Sequence, residues 1–162
     1  MYVSLNSTTI QGRAPWPELA HLAQRTGYGG VEIPLGKALD EGVDSTRALL
    51  AETKLKPAAT SLPVEFRKDE AVFQEGLKRL DRAAQFLKAI GCPRMVTWIM
   101  ASSDTPKAEL RKLYKGGFTT ISEALKPSGV RLGLEFLGPL ALRKRGPHEF
   151  IWRMDEMLEF AR

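Results

Sequence analysis

Two carboxylates, Glu135 and Glu32, lie near the ends of apolar runs that are typical of buried strands, GVRLGLEF and GGVEIP. A carboxylate buried on a strand must be paired, metal-bound or protonated, because an isolated buried charge costs several kcal/mol. Glu135 is therefore a ligand for a divalent cation or a base with a tuned pKa, or else it forms a salt bridge with Arg94 or Arg131. The same two kinds of role, functional and structural, apply to Glu32.

Four further side chains lie at or just after apolar runs and suit a polar ligand of sugar size. Asn6 ends the first run, Arg67 follows the third and Trp98 lies in the fourth. Trp98 either stacks on the apolar face of a ligand or fills the core. Arg143 begins the basic cluster RKR, which either holds a phosphate or keeps a loop soluble. In parallel α/β folds, ligands bind at the carboxyl ends of strands, so these side chains are expected to meet on one side of the sheet.

Five short apolar runs alternate with longer helical patterns, and this alternation predicts a parallel sheet built through right-handed crossovers. The helices are indicated by apolar residues at spacings of three and four. In the fourth helix the apolar face includes Leu113, and in the last helix, from about residue 147, it includes Met154 and Leu158. The predicted strands cover residues 2–6, 29–34, 57–63, 94–100 and 129–136.

The number of units favours part of a closed barrel. Five βα units fill the 162 residues, and eight would need about 260, the usual size of a (β/α)8 barrel. We therefore expect an α/β fold in which residues 1–162 form a single, C-terminally incomplete TIM-barrel domain with parallel strands. The alternative is a complete five-stranded doubly wound sheet, but the first βα turn lacks the GxGxxG fingerprint that such sheets usually carry.

Composition excludes several classes of protein. The single cysteine, Cys92, excludes an internal disulfide and a cysteine-based metal cluster. No apolar run approaches the roughly 20 residues that span a bilayer, and the N-terminus has no pattern of a secretory signal, so no membrane partner and a cytoplasmic location are expected. The net charge of +5 favours anionic partners only weakly, because acidic residues are interspersed with the basic ones.

Five stretches together resemble the sugar phosphate isomerase/epimerase family, the xylose-isomerase-like TIM barrels. The resemblance is greatest to the branch of inosose dehydratases and inosose isomerases. It extends through nearly all of the chain and is more specific for the superfamily than for any substrate. The matching stretches are SLNSTTI, GYGGVEI, SLPVEFRKDE, IGCPRMVTWIM and GVRLGLEFLGP.

The resemblance implies a divalent metal (Mn, Mg, Co or Zn) at the barrel mouth, with Glu135 as the first metal ligand and as an acid/base carboxylate. The remaining ligands of the family come from strands six to eight, which this sequence does not contain. Asn6, Glu32, Arg67, Trp98 and Arg143 are expected to contact the substrate, a sugar, sugar phosphate or inositol derivative. The implied reaction is isomerisation or epimerisation by proton abstraction beside a carbonyl, or loss of water from the same intermediate.

Two other functions compete with this interpretation. An endonuclease-IV-like DNA repair enzyme would suit the basic charge, but it needs histidines at early strand ends, and strands two to four supply none, so no nucleic-acid partner is expected. The second is a non-catalytic barrel fragment that self-associates, because a partial barrel leaves two sheet edges and an inner face uncovered. A homodimer or higher homo-oligomer is therefore predicted.

Overall fold

A computed structural model describes residues 1–162, and its main sheet is parallel with strands in sequence order. This sheet has five strand positions, which correspond to the five predicted strands. At each position the observed strand is no longer than the apolar run that predicts it. A two-residue antiparallel pair, β6 with β8, lies outside the main sheet. The strands are β1 (Ser4–Leu5), β2 (Gly30–Val31), β3 (Lys56–Pro57), β4 (Thr60–Ser61), β5 (Arg94–Ile99), β6 (Ser102–Ser103), β7 (Arg131–Phe136) and β8 (His148–Glu149).

The third predicted strand, at residues 57–63, is interrupted. β3 pairs with β2 on one side, and β4 pairs with β5 on the other. Pro57 has no N–H to donate toward β5, so pairing on that side begins only at Thr60. The amide of Ala58 meanwhile continues the ladder to β2, donating to the Val31 carbonyl at 3.0 Å. The main sheet thus runs β1, β2, β3 with β4, β5, β7, and the prediction of a partial, unclosed TIM barrel is confirmed.

Seven α-helices connect and cover the strands. The Asp69 carboxylate caps the longest of them by accepting a hydrogen bond from the Val72 amide at 3.0 Å. The sequence does not predict α2, which is short and buries only Ala38. None of the helices combines the length and apolar character that a bilayer crossing requires. The helices are α1 (Trp16–Arg25), α2 (Leu35–Glu41), α3 (Val43–Thr53), α4 (Glu70–Ala89), α5 (Lys107–Leu125), α6 (Leu140–Arg143) and α7 (Met154–Ala161).

The two faces of the sheet differ in their surroundings. One face packs against the helices, and its strand residues Leu5, Val31 and Met95 belong to a cluster of 32 buried residues. The opposite face, here called the inner face, carries Trp98 and Glu135 next to each other on β5 and β7. No helix covers it, and both side chains are exposed. Because the barrel is open, the inner face and its strand-end groups are accessible to solvent.

The predicted apolar face of α7 is wrong by a rotation about the helix axis, whereas on α5 only Leu113 is misplaced and Leu110, Ile121 and Leu125 are buried as predicted. Leu113 on α5 is 60% exposed, and Met154 and Leu158 on α7 are 60% and 54% exposed. The buried positions of α7 are Met157 and Phe160. Helix α7 also begins later than predicted, because the segment before it pairs with β6 as β8. Two apolar stripes with helical spacing exist in this segment, and the one carrying the aromatic ring is buried.

Candidate active site

The carboxyl ends of the strands form the candidate site, here called the mouth. Paired residues of neighbouring parallel strands project their side chains to the same face of the sheet. The β5–β7 register places Trp98 opposite Glu135. Asn6 and Glu32 follow directly on the paired ends of β1 and β2, Leu5 and Val31. Sequence-predicted residues from four strand ends therefore meet at the mouth.

Asn6 is held in one orientation. Its Oδ1 accepts hydrogen bonds from the Thr8 amide at 2.8 Å and from the Thr8 hydroxyl at 2.7 Å. Asn6 thereby caps the short 3-10 helix Ser7–Ile10. With its oxygen occupied, Asn6 has only its side-chain NH2 group left to donate, and Asn6 acts on the neighbouring Glu32 carboxyl by lowering its pKa. This capping role, typical of Asn followed by Ser and Thr, was readable from the sequence.

Three effects set the protonation of Glu32, which is half-buried at the mouth. Burial raises the pKa of its carboxyl above the ordinary value, and this is the largest effect. The hydrogen bond with Asn6 opposes the rise, and the negative charge of Glu135 adds to it. The two carboxylates are therefore close enough to influence each other, and Glu32 retains its proton to a higher pH than a solvated glutamate.

Replacing Glu32 with glutamine is expected to raise the thermal midpoint near neutral pH and to change it little in acid. The stabilisation from the Glu32 proton is complete below the ordinary carboxyl pKa of 4.5 and is lost as the pH rises through the raised pKa of the folded chain. Glutamine stays neutral throughout and has nearly the same shape as glutamate. Thermal melts at about pH 4 and about pH 7 measure the difference. Exposed Glu123→Gln is the control, and equal midpoints at neutral pH would contradict the prediction.

Glu135 has no cationic partner. No Lys, Arg or His nitrogen lies within 4.0 Å of its carboxylate, so neither Arg94 nor Arg131 forms the structural salt bridge considered above. Arg94 instead donates to the Ala58 carbonyl at 3.2 Å. The expectation of a buried carboxylate is also wrong, because the uncovered inner face leaves Glu135 exposed. An exposed carboxylate without a partner is free to bind a ligand.

Arg67 supports Trp98. Its guanidinium lies 4.4 Å from the centre of the Trp98 ring and 4.2 Å from that of Phe66, so it makes cation–π contacts with both rings. It also donates to the Trp98 carbonyl and pairs with Glu65 at 3.3 Å. Trp98 is 44% exposed, so it does not fill the core. Most donors of Arg67 are engaged, and its contacts position the tryptophan at the mouth.

Arg143 is engaged by residues of the segment that follows α6. Its guanidinium lies 3.5 Å from the centre of the Trp152 ring and pairs with Glu149 at 3.0 Å. Its side chain is only 22% exposed. None of these contacts involves a residue of the mouth. The structure therefore gives Arg143 a role in holding the segment between α6 and α7 together.

The side chains of this protein do not make a complete metal site. No three His, Cys, Asp or Glu residues lie close enough together to hold a metal ion. Protein-bound zinc takes three or four protein ligands. Glu135 offers an unpaired oxygen donor of the kind that divalent cations accept.

A cleft of about 560 Å³ opens beside Asn6 and Glu32, between the strand ends and α4. Its far wall carries Lys78, Arg79 and Arg82. These three residues do not stand out in the sequence, because a basic stretch on an amphipathic helix is typical of a solvated face. A second cavity of about 560 Å³ lies between α4 and α5 and contains no residue of the mouth.

Comparison with known proteins agrees with this fold. An inosose isomerase from Halalkalibacterium halodurans is 27% identical over an alignment of 139 residues that covers 82% of this chain and 49% of that protein. A xylose isomerase domain protein from Alicyclobacillus acidocaldarius has a TM-score of 0.84 at 24% identity, covering 97% of this chain and 57% of that one. The IOLI protein, solved with a bound zinc atom, has a TM-score of 0.72 at 24% identity, covering 85% of this chain and 52% of that one.

The chain thus spans about half the length of the proteins it resembles. The match to the family is nevertheless extensive, because it begins at residue 20 and continues to residue 162. The strand ends that form the mouth from Glu32 onward all lie within that range. The resemblance seen in the sequence is confirmed: the chain belongs to the xylose isomerase-like TIM barrel family.

Proposed function

We propose that the chain contributes to a sugar or inositol-derivative isomerase or epimerase that moves a proton beside a carbonyl group. The observation that carries the proposal is the unpaired Glu135 carboxylate at the mouth, close to Glu32. Membership of the family and the relationship to an inosose isomerase support the substrate class.

Glu135 is the proposed base. Its carboxylate takes a proton from the carbon beside the substrate carbonyl, and the electron pair of the broken C–H bond forms an enediolate. Return of the proton to the neighbouring carbon, together with transfer of the hydroxyl proton of the first carbon to the former carbonyl oxygen, gives isomerisation. Delivery of a proton to the opposite face of the same carbon by a second carboxylate gives epimerisation. Glu32 suits that second role because its raised pKa keeps it protonated over a wider pH range.

The neighbouring side chains orient the substrate in this proposal. Asn6, held by its hydrogen bonds from Thr8, lies beside the Glu32 carboxyl and presents its NH2 group to a substrate at the mouth. The exposed part of the Trp98 ring offers an apolar surface for the C–H face of a sugar, and the Arg67 guanidinium contacts the same ring. Such positioning brings the reacting carbon to the base, which supplies a large part of the rate enhancement in enzymes generally.

A divalent metal belongs to the proposal as a cofactor of the whole site. The zinc atom of the IOLI protein supports it, and Mn, Mg, Co or Zn would each suit a carboxylate ligand. When bound, such an ion stabilises negative charge on the substrate oxygens. Glu135 alone does not complete its coordination, so the proton transfers of the proposal are assigned to the carboxylates.

Hydrogen–deuterium exchange at the substrate carbon tests the proposed function directly. The chain is incubated in D2O with inososes and ketohexoses, with and without each divalent metal, and the loss of the proton beside the carbonyl is followed by NMR. Exchange faster than in the protein-free control is expected for at least one substrate. Exchange at the background rate for every substrate and metal would reject proton abstraction by this chain.

Self-association of the chain is the second candidate function. β7 is six residues long and pairs on one side only, so its other edge presents free backbone donors and acceptors. The exposed Trp98, Met154 and Leu158 add apolar surface. We predict a dimer or higher oligomer by sedimentation velocity. A monomer at micromolar to millimolar concentration would contradict this prediction.

A further inference from the structure

The cleft between the mouth and α4 joins two surfaces of opposite charge. Glu32 and Asn6 lie on its inner wall, and Lys78, Arg79 and Arg82 lie on its helical wall. Its volume of about 560 Å³ is within the range that small-molecule sites occupy. A ligand that fills the cleft therefore meets the carboxyl of the mouth at one end and cations at the other.

The cations share one face of α4. Lys78 and Arg82 are four residues apart and Arg79 and Arg82 three apart, which places all three on neighbouring positions of the helix surface. Lys78 pairs with Glu75 at 3.0 Å. Arg79 and Arg82 have no carboxylate within salt-bridge distance and make no side-chain hydrogen bond. Two guanidinium groups in the cleft are thus free to bind an anion.

The opposite wall carries no charge apart from Glu32 and combines apolar side chains, among them Leu35, Leu39 and Leu62, with polar ones. Ser7 and Ser61 contribute hydroxyl groups to it. The hydroxyl of Thr60 is already engaged, since it donates to the Ile33 carbonyl at 2.7 Å. Hydroxyls on one wall and guanidinium groups on the other match a polyol that carries an anionic group. The free guanidinium groups lie on the helical wall, so the anionic group is favoured at the α4 end.

We propose that Arg79 and Arg82 bind the phosphate of a phosphorylated polyol whose sugar portion lies toward Asn6 and Glu32. Two planar guanidinium groups can each donate two parallel hydrogen bonds to a phosphate dianion. The basic cluster that begins at Arg143 is less suited, because Arg143 is already engaged by Glu149 and Trp152. This inference rests on the proposed function only in taking the ligand to be the substrate.

Calorimetric titration with glucose 6-phosphate as the probe tests the site. Arg79→Gln/Arg82→Gln is compared with Lys144→Gln/Arg145→Gln, which removes the same charge from an exposed loop. The first variant is expected to weaken binding by about tenfold or more, because the charge-assisted hydrogen bonds are lost. The second is expected to weaken it by less than about twofold, since exposed charges at a distance are screened by salt. Circular dichroism checks that both variants fold.

Two further probes define what the site recognises. Glucose should bind wild type and both variants with equal affinity, and glucuronate should bind wild type more weakly than glucose 6-phosphate. Equal weakening by the two double variants would show general charge attraction and overturn the proposal. So would unchanged binding in the Arg79/Arg82 variant, or no binding of glucose 6-phosphate to wild type.

Failure of the binding test rejects the phosphate site, and failure of the exchange test rejects the proposed function, so the two outcomes can be told apart. Phosphate binding at Arg79 and Arg82 requires neither metal nor turnover, so it can succeed when no substrate exchanges its proton. Exchange with neutral inososes alone, without binding of glucose 6-phosphate, would leave the proposed function standing and remove the phosphate site.

Discussion

Replacing Glu135 with glutamine is expected to slow deuterium exchange beside the substrate carbonyl by at least about 100-fold, because a positioned general base contributes about 10²–10⁴-fold to proton transfer. Glutamine has nearly the same shape and cannot accept the proton. The exchange rate is measured by NMR in D2O for wild type and variant with the same substrate and metal. Glu135 is exposed and unpaired, so the substitution should leave the fold unchanged.

The control for this experiment is Glu123→Gln. Glu123 lies on α5, pairs weakly with Lys126 at 3.8 Å and is 68% exposed. The substitution removes the same charge from the chain without touching the mouth, and the exchange rate should stay within about twofold of wild type, since exposed charges are screened by salt. Exchange that persists in Glu135→Gln at the wild-type rate would assign the base to another residue, and Glu32 would be the first to replace.

The sequence predicted the main sheet because the pattern that marks each strand is local and recurs in every βα unit. Each strand is an apolar run bounded by turn residues, and alternation with helices determines parallel pairing. The same logic placed Glu32, Trp98 and Glu135 at strand ends, where the structure has them. Their roles in binding and catalysis stay predictions.

Other features depended on tertiary contacts that spacing does not encode. Two apolar stripes compete on α7, and the choice of Phe160 over Leu158 follows from aromatic partners on α5. Arg67 and Arg143 are both arginines after strands, yet each is held by aromatic rings and a glutamate that no local pattern identifies. The interruption of the third strand has a local cause, the missing amide hydrogen of Pro57. The position of this proline can be seen in the sequence.

Phe118 lies at the centre of an aromatic cluster that connects the helices to the mouth. Its ring centre is 4.6 Å from that of Phe66, 5.7 Å from that of Tyr114 and 6.1 Å from that of Phe160. Phe118 itself is only 5% exposed. Phe66 in turn stacks on the Arg67 guanidinium. The packing of α5 and α7 is therefore continuous with the support of Trp98.

Replacing Phe118 with alanine is expected to lower the free energy of unfolding by about 3–5 kcal/mol, the usual cost of removing a buried aromatic ring and leaving a cavity. Since small domains are stable by only about 5–15 kcal/mol, this is a large part of the total. Urea unfolding followed by circular dichroism measures the change. Thr120→Ala on the exposed face of α5 should change stability by less than about 0.5 kcal/mol.

Phe118→Leu separates the loss of buried apolar volume from the loss of the aromatic ring contacts. Leucine keeps most of the apolar volume, so the loss should be smaller than for alanine, within about 1–2 kcal/mol, although the ring contacts with Phe66 and Phe160 are gone.

The alanine variant should also change tryptophan fluorescence in the native state, because Phe66 and Arg67 lose support beneath Trp98. A loss below about 1 kcal/mol for alanine would mean that the ring is not packed as the structure has it. Stability lost without a change in fluorescence would instead separate the helical core from the mouth.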